Sequence, residues 1–251
     1  MTAIGVFVAT RWELAAVRQA FAASEVRVLG GIRCIVARQG QVEWWIIPMG
    51  VGPERATATG KRVFGEQSFA AVWSTGFACA LGQAVIGEVL VGTHVIMEGG
   101  AEDGRPVPCA AAGVEWVRQA VQQQRLPVQA GRFVSVPRVL CRAEEKQEIA
   151  RRAGGIGLDM ESAALGSVAS ERKIPFVIVR TTSDLVDESL PLDFNLFLRP
   201  SGWVKGVAAC LAHPTNLSGL NRLRVQSRVA GTQLTAVFRA RAEKALREGL
   251  A

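Results

Sequence analysis

Asp159-Met160-Glu161-Ser162, then Pro175-Phe176-Val177-Ile178-Val179, then Arg180-Thr181-Thr182-Ser183-Asp184 form one continuous reading over residues 159 to 184. Met160, Ala164 and Val168 recur at helical spacing, with acids Asp159 and Glu161 at the start and Arg172 and Lys173 at the finish, as a helix dipole favours. Pro175 stops that helix. Residues 176 to 179 are an unbroken apolar run rich in valine and isoleucine, the pattern of a strand covered on both faces. Ligands of open α/β sheets gather beyond the carboxyl ends of strands, which puts Ser183 and Asp184 at a reactive rim. Glu161 reaches the same rim if the loop before its helix lies beside it.

Outward from this stretch, strands and helices alternate, which is α/β organisation. Ile4 to Ala9 reads as the first strand and Leu14, Val17, Arg18 and Phe21 as the helix after it. Strands follow near Ile32 to Arg38 and Glu43 to Pro48. Met49-Gly50-Val51-Gly52-Pro53-Glu54 is a flexible turn into a helix from about Arg55. Ala70 to Trp73 is a buried strand, with Ser74 to Ala78 as the loop at its end. Glu88 to Met97 is a long strand, and Glu98 to Pro108 an exposed segment. Glu115 to Gln124 and Ala143 to Arg152 read as helices, with Gly131 to Ser135 extended between them. From Pro200 onward the pattern is helical. Pro214 and Gly219 separate a Trp203 to Ala212 helix from a basic tail, so residues 1 to 212 are expected to form one domain and 213 to 251 a helical extension.

Composition excludes several classes. A chain of 251 residues that is 49% hydrophobic can fill a large core, so disorder is not expected over most of it. The 29 basic residues against 22 acidic ones are scattered, and no aromatic-interleaved basic ribbon or recognition helix points to nucleic acid. Cys34, Cys79, Cys109, Cys141 and Cys210 show no paired C-x-x-C spacing, so neither a disulfide framework nor a zinc or other metal site is expected. With no secretory signal pattern near the start, a reducing cytoplasm is the expected location. Gln67 to Gly87 is uncharged, but its Ser74, Thr75, Gly76, Gly82 and Gln83 favour strand, loop and strand over a membrane span.

Familiar chemistries fail on their residues. His94 sits inside a strand pattern and His213 precedes Pro214, so neither is placed as the base of a Ser-His-Asp or Cys-His arrangement. Gly60-Lys61-Arg62 lacks the glycine spacing of a P-loop. Gly50-Val51-Gly52 lacks the third glycine of a dinucleotide fingerprint, and Gly154 to Gly157 follows a helix instead of a strand.

The order of Val8-Ala9-Thr10-Arg11-Trp12-Glu13, Gly50-Val51-Gly52, Ser74-Thr75-Gly76, Asp159-Met160-Glu161-Ser162 and Arg180 to Asp184 resembles the nucleoside phosphorylases and nucleosidases, over most of residues 3 to 210. Ser135-Val136-Pro137-Arg138-Val139-Leu140, Glu144-Glu145-Lys146, Leu158 to Ser162, Leu190 to Asn195 and Gly202-Trp203 resemble the hopanoid-associated branch, a group of phosphorylases or adenosylhopane nucleosidases. The resemblance implies a three-layer α/β/α sandwich with a central mixed β-sheet, and cleavage of an N-glycosidic bond between a purine and ribose. It implies Asp184 as the acid that protonates the departing adenine, held by Ser183, with its proton affinity raised by burial or a neighbouring anion. Glu161 would grip the ribose hydroxyls and Met160 would pack on the sugar face.

Glu13 matches the acid that positions water in hydrolytic members, and an anion there would repel phosphate. Arg11 and Arg55 are the pair a phosphate co-substrate would require, so phosphorolysis stays open beside hydrolysis. Arg180 reads either as orienting a carboxylate or as a structural ion pair. Ser74, Thr75 and Gly76 read as ligand-approach residues or plain turn residues, and Phe133 and Val139 as base contacts or core. Glu13 and Glu161 also have the plain reading of first-turn helix acids. Val136-Pro137-Arg138-Val139 stands where simple nucleosidases carry a Gly-Asp pair, which argues against methylthioadenosine hydrolysis. No cofactor is expected, and the partners are a nucleoside and further copies of the chain. Arg222, Arg224, Arg228, Arg239, Arg241, Lys244 and Arg247 among apolar residues are compatible with a membrane-surface helix, or with a solvated helix packed on the body or on a partner subunit. A non-catalytic nucleoside-binding module or adaptor is the alternative from another class.

Overall fold

The structure, a computed structural model, describes residues 1–99, 105–198 and 215–248, with side chains described for 1–99, 105–196 and 218–240. The expected Trp203 to Ala212 helix, Cys210, His213 and part of the 98 to 108 segment lie outside the described residues. In chain order the elements are β1 (Thr2–Val8), α1 (Arg11–Arg18), β2 (Glu25–Leu29), β3 (Ile32–Gln39), β4 (Val42–Pro48), α2 (Pro53–Glu66), β5 (Ala71–Ala80) and β6 (Val89–Met97). They continue with β7 (Val107–Pro108), α3 (Ala111–Gln123), β8 (Val128–Ser135), α4 (Ala143–Ala153), β9 (Gly157–Asp159), α5 (Ser162–Glu171), β10 (Phe176–Asp184) and α6 (Thr215–Glu248).

Strand alternation sorts the core into two layers. From β1, Phe7 faces one side with α2 and α5, packing among Ala56, Val63, Phe64, Leu165 and Val168. Ile4, Val6 and Val8 face the other, among residues of α1, α3 and α6 that include Val17, Val121, Leu234 and Phe238. The result is a three-layer α/β/α sandwich around a mixed sheet. β1 runs parallel to β4 and β5, and the antiparallel β2 and β3 extend the edge beyond β4. β2 escaped the sequence reading, although Gly30 and Gly31, both at positive φ, mark the tight hairpin turn that joins it to β3.

At the other end the sheet curls closed, because β10 pairs in parallel with β5 and antiparallel with β6. β6, β8, β9 and β5 complete the ring. A register shift between Gly92 and His94 in β6 exchanges its faces, so that Leu90 and Val95 enter the same core layer.

Ser74 to Ala78 is not the expected loop. β5 runs on through Ala80 because its backbone is paired with β10, Thr75 opposite Val179 and Gly76 opposite Arg180. Arg180 to Asp184 is likewise strand to its last residue.

The boundary at residue 212 is also corrected. α6 is part of the main body: Ala230, Leu234, Val237 and Phe238 are fully buried, and Thr235 and Thr181 donate across the contact to Ala16 O and Ala230 O. Ala230, Leu234, Val237 and Phe238 spend the buried face of this helix on the core, while Arg222, Arg224, Arg228 and Arg239 are exposed together with Val225 and Val229. Among the described residues no helix is long and apolar enough to cross a membrane.

Phe238 packs against Trp44 and Trp73, with ring centroids 6.4 and 5.7 Å away. Phe238→Ala is expected to destabilise the whole domain by about 3–5 kcal/mol, read as a lower urea midpoint in one cooperative transition. A separate early transition for α6 would show the helix to be an appendage after all.

Candidate active site

Thr10 caps α1, its hydroxyl accepting from Glu13 N at 3.3 Å while Glu13 Oε2 accepts from Thr10 N at 2.7 Å. The same carboxylate takes Ala9 N at 2.9 Å, and its Oε1 takes Phe77 N at 2.8 Å, which ties α1 to β5. Glu13 is therefore a helix-start acid and a buried cavity acid at once. Gly76 lies directly against this carboxylate at φ +140°, where a side chain would occupy the space of the Glu13 oxygens.

Arg180 is 1% exposed and meets Asp159 Oδ2 at 2.8 Å and Glu161 Oε2 at 3.5 Å. It donates to Phe77 O and to the hydroxyls of Ser74 and Ser162, which are themselves 2.8 Å apart. Asp159 Oδ1 accepts from Ser135 Oγ at 2.5 Å and from Ser162 N at 3.2 Å. Glu161 does not cap its own helix. Its Oε1 takes Gly52 N at 2.9 Å instead, which docks the turn before α2. Burial pushes the Glu161 carboxyl up to about 7, opposed by Arg180 and Gly52 N–H and reinforced by the carboxylates of Asp159 and Glu13.

Asp184 closes the third side. Ser183 Oγ donates to its Oδ1 at 2.9 Å, and Lys146 Nζ, from α4, sits 2.6 Å from its Oδ2. The Asp184 side chain is largely buried as expected, but the charged group against it is a cation and not an anion. The Lys146 ammonium also reaches Glu188 O at 2.8 Å and Leu185 O at 3.3 Å.

Glu13, Glu161 and Asp184 line one cavity of about 190 Å³, together with Met160, Ser183, Arg180 and Val139. Ser74 and Thr75 lie beneath it: Ser74 supports Arg180, and Thr75 donates to Val179 O. Phe133 is not in the lining. It fills the core space above the side-chain-free Gly157 and Gly92, and the reading of it as a base contact is corrected. Arg11 and Arg55 are outside the lining too, Arg11 stacked 3.7 Å over the Trp12 ring and Arg55 packed against Gly50.

Sequence reading assigned no role to Lys146 or Arg138, both in the lining, or to Asn195, whose side chain brackets Val139 N and O at 2.9 Å each. A signal for Lys146 existed. It falls between Ala143 and Ile149 on the buried face of α4, where a lysine has no packing reason to be. Among the described residues no cluster of three or more His, Cys, Asp or Glu side chains is arranged to hold a metal.

A family model described as the phosphorylase superfamily matches residues 3–199. The chain belongs to the phosphorylase superfamily. It is 33% identical over 86 residues to the 5'-methylthioadenosine/S-adenosylhomocysteine nucleosidase of Staphylococcus aureus (strain JH9). That segment is 34% of this chain and spans only 38% of the relative's length.

Solved structures match far more of the fold. The nucleosidase of the same name from Neisseria meningitidis, in complex with methylthio-immucillin-A, aligns over 95% of this chain and 99% of its own at TM-score 0.73 and 18% identity. Futalosine hydrolase of Helicobacter pylori aligns over 94% and 97% at TM-score 0.72 and 17% identity.

The Glu161 environment predicts a pH effect on stability. A carboxyl whose proton is held up to about 7 in the fold, against an ordinary 4.5, contributes stability that is complete below 4.5 and lost as pH rises through about 7. Glu161→Gln cannot ionise, so its melting temperature relative to the wild type is expected to climb between about pH 5 and about pH 8. A difference that stays constant across that range in thermal denaturation would rule out burial of this charge as the cause.

Proposed function

We propose that this chain hydrolyses the N-glycosidic bond of adenine nucleosides. The observation that carries the reading is that Glu13, Glu161 and Asp184, brought from three separate parts of the chain, line a single cavity. An adenine leaving as an anion is costly, and Asp184 stands to deliver a proton to a ring nitrogen as the bond stretches. Positive charge then grows on the ribose. Glu161, beside the sugar-facing Met160, accepts from the ribose hydroxyls and steadies that charge. Glu13 orients a water molecule and takes its proton as the oxygen joins the anomeric carbon, so one proton enters Glu13 and one leaves Asp184 per turnover.

Water is favoured over phosphate because the cavity's cations are already committed. Arg180 is engaged by Asp159 and Glu161, Lys146 by Asp184, and Arg138 by Glu145. A phosphate dianion would meet Glu13 with no free arginine pair beside it among the described lining residues.

Within this class we extend the reading to adenosylhopane, and hence to hopanoid biosynthesis. Its support is the likeness of residues 135–140, 158–162 and 190–195 to the hopanoid-associated branch, together with a groove of about 600 Å³ between α1 and α6. Trp12, Phe77, Phe194, Leu220 and Leu223 line that groove, and Phe77 also borders the catalytic cavity. Such a groove suits a large apolar group attached to the sugar.

The test is release of free adenine from adenosine, 5'-methylthioadenosine and adenosylhopane, each with and without phosphate. Release without phosphate, greatest for adenosylhopane, is the expected result, and strict phosphate dependence would overturn hydrolysis. Asp184→Asn and Glu13→Gln are each expected to lower the rate by about 10²- to 10⁴-fold. Nucleoside affinity should largely survive in Asp184→Asn; unchanged release would show that Asp184 is not the acid, whereas nucleoside binding with no release even by the wild type would show that the chain is a binding module or adaptor.

A further inference from the structure

Lys146 is 1% exposed, and lysine is almost never buried whole without a partner. Its three N–H donors find three acceptors, Asp184 Oδ2 at 2.6 Å, Glu188 O at 2.8 Å and Leu185 O at 3.3 Å. No donor is left for a ligand, so whatever Lys146 does for the reaction it does through Asp184. Stability is a poor reason for the arrangement, since a buried ion pair is commonly no better than apolar side chains of the same volume.

Building on the nucleosidase reading, we propose that Lys146 is a positioning residue that fixes the aim and the charge of Asp184 during proton transfer to the leaving base. The ammonium already occupies Oδ2, so a proton carried by Asp184 is confined to Oδ1, the oxygen beside Ser183. When the Oδ1–H bond breaks and the proton joins a ring nitrogen of adenine, the electron pair stays on the carboxylate. Lys146 is in place to meet that new negative charge, so the product side of the transfer is stabilised more than the reactant side.

The other groups facing this pair are few. Cys79 comes from β5, its thiol pushed well up by burial and by Asp184. The Glu188 carboxylate is turned away, accepting from Leu185 N at 3.1 Å and from Gln226 of α6 at 2.9 Å. Across the cavity stand Glu13, Glu161, Arg180 and Arg138.

The test compares wild type with Lys146→Gln, which is one bond shorter and keeps a hydrogen-bonding head group but not the charge. kcat and KM for an adenine nucleoside would be measured from about pH 5 to about pH 9 by adenine release, with thermal unfolding to confirm the fold. The expected result is a lower maximal kcat with little change in KM and an alkaline limb moved to higher pH.

A profile superimposable on the wild type, or lowered by one factor at every pH, would overturn the role of Lys146. No adenine release by the wild type itself would instead overturn the nucleosidase reading. If Lys146→Gln does not fold, Lys146→Arg decides, because it keeps the charge and displaces the head group. Its limb should stay at the wild-type pH while kcat drops about tenfold, and a shifted limb or an undiminished kcat would count against the proposal.

Discussion

The Arg180 guanidinium, sealed between Asp159 and Glu161, is the contact on which the geometry of the cavity depends. It is fixed to β10 by its backbone, to the β9–α5 junction by its two acids, and to β5 through Ser74 and Phe77 O. One side chain thus sets the spacing between the strand that carries Asp184, the turn that carries Glu161 and the strand whose amide binds Glu13. A buried charge left without its partners is costly, so removing either acid would strand the arginine and loosen all three elements together.

Charge in the cavity is arranged as two units. Around Arg180, Asp159, Glu161 and the nearby Glu13 outnumber a single cation, and burial resolves the excess by holding a proton on Glu161 up to about neutrality. Around Asp184 the count is balanced by Lys146. The sugar end is therefore anionic in character and the base end neutral as a pair, which suits a reaction that builds positive charge on ribose and moves a proton to the base.

Much of this was legible from residue order. Alternating apolar strands, the proline at residue 175 and the carboxylates at 13, 161 and 184 carried the layer architecture and the three acids of the cavity. The glycine pair at 30 and 31 would have carried β2 as well. The misreadings share a cause. Ser74 to Ala78 reads as loop by composition, because small polar residues in a strand make sense only once β10 is known to pair with them. The basic C-terminal segment reads as an appendage because its apolar positions look like one helix face, with nothing local to say that the face meets Trp44 and Trp73.

Local pattern determined most of the helices and strands, most of the apolar faces, and which residue types are on hand for acid–base work, because those properties depend largely on neighbours within a few positions. Closure of the sheet by β10, the turning of Phe133 into the core, the exclusion of Arg11 and Arg55 from the cavity and the pairing of Lys146 with Asp184 were decided only by the tertiary structure. Each depends on the distance between groups far apart in the chain. Electrostatic and hydrogen-bond energies depend steeply on that distance, and residue order alone does not specify it.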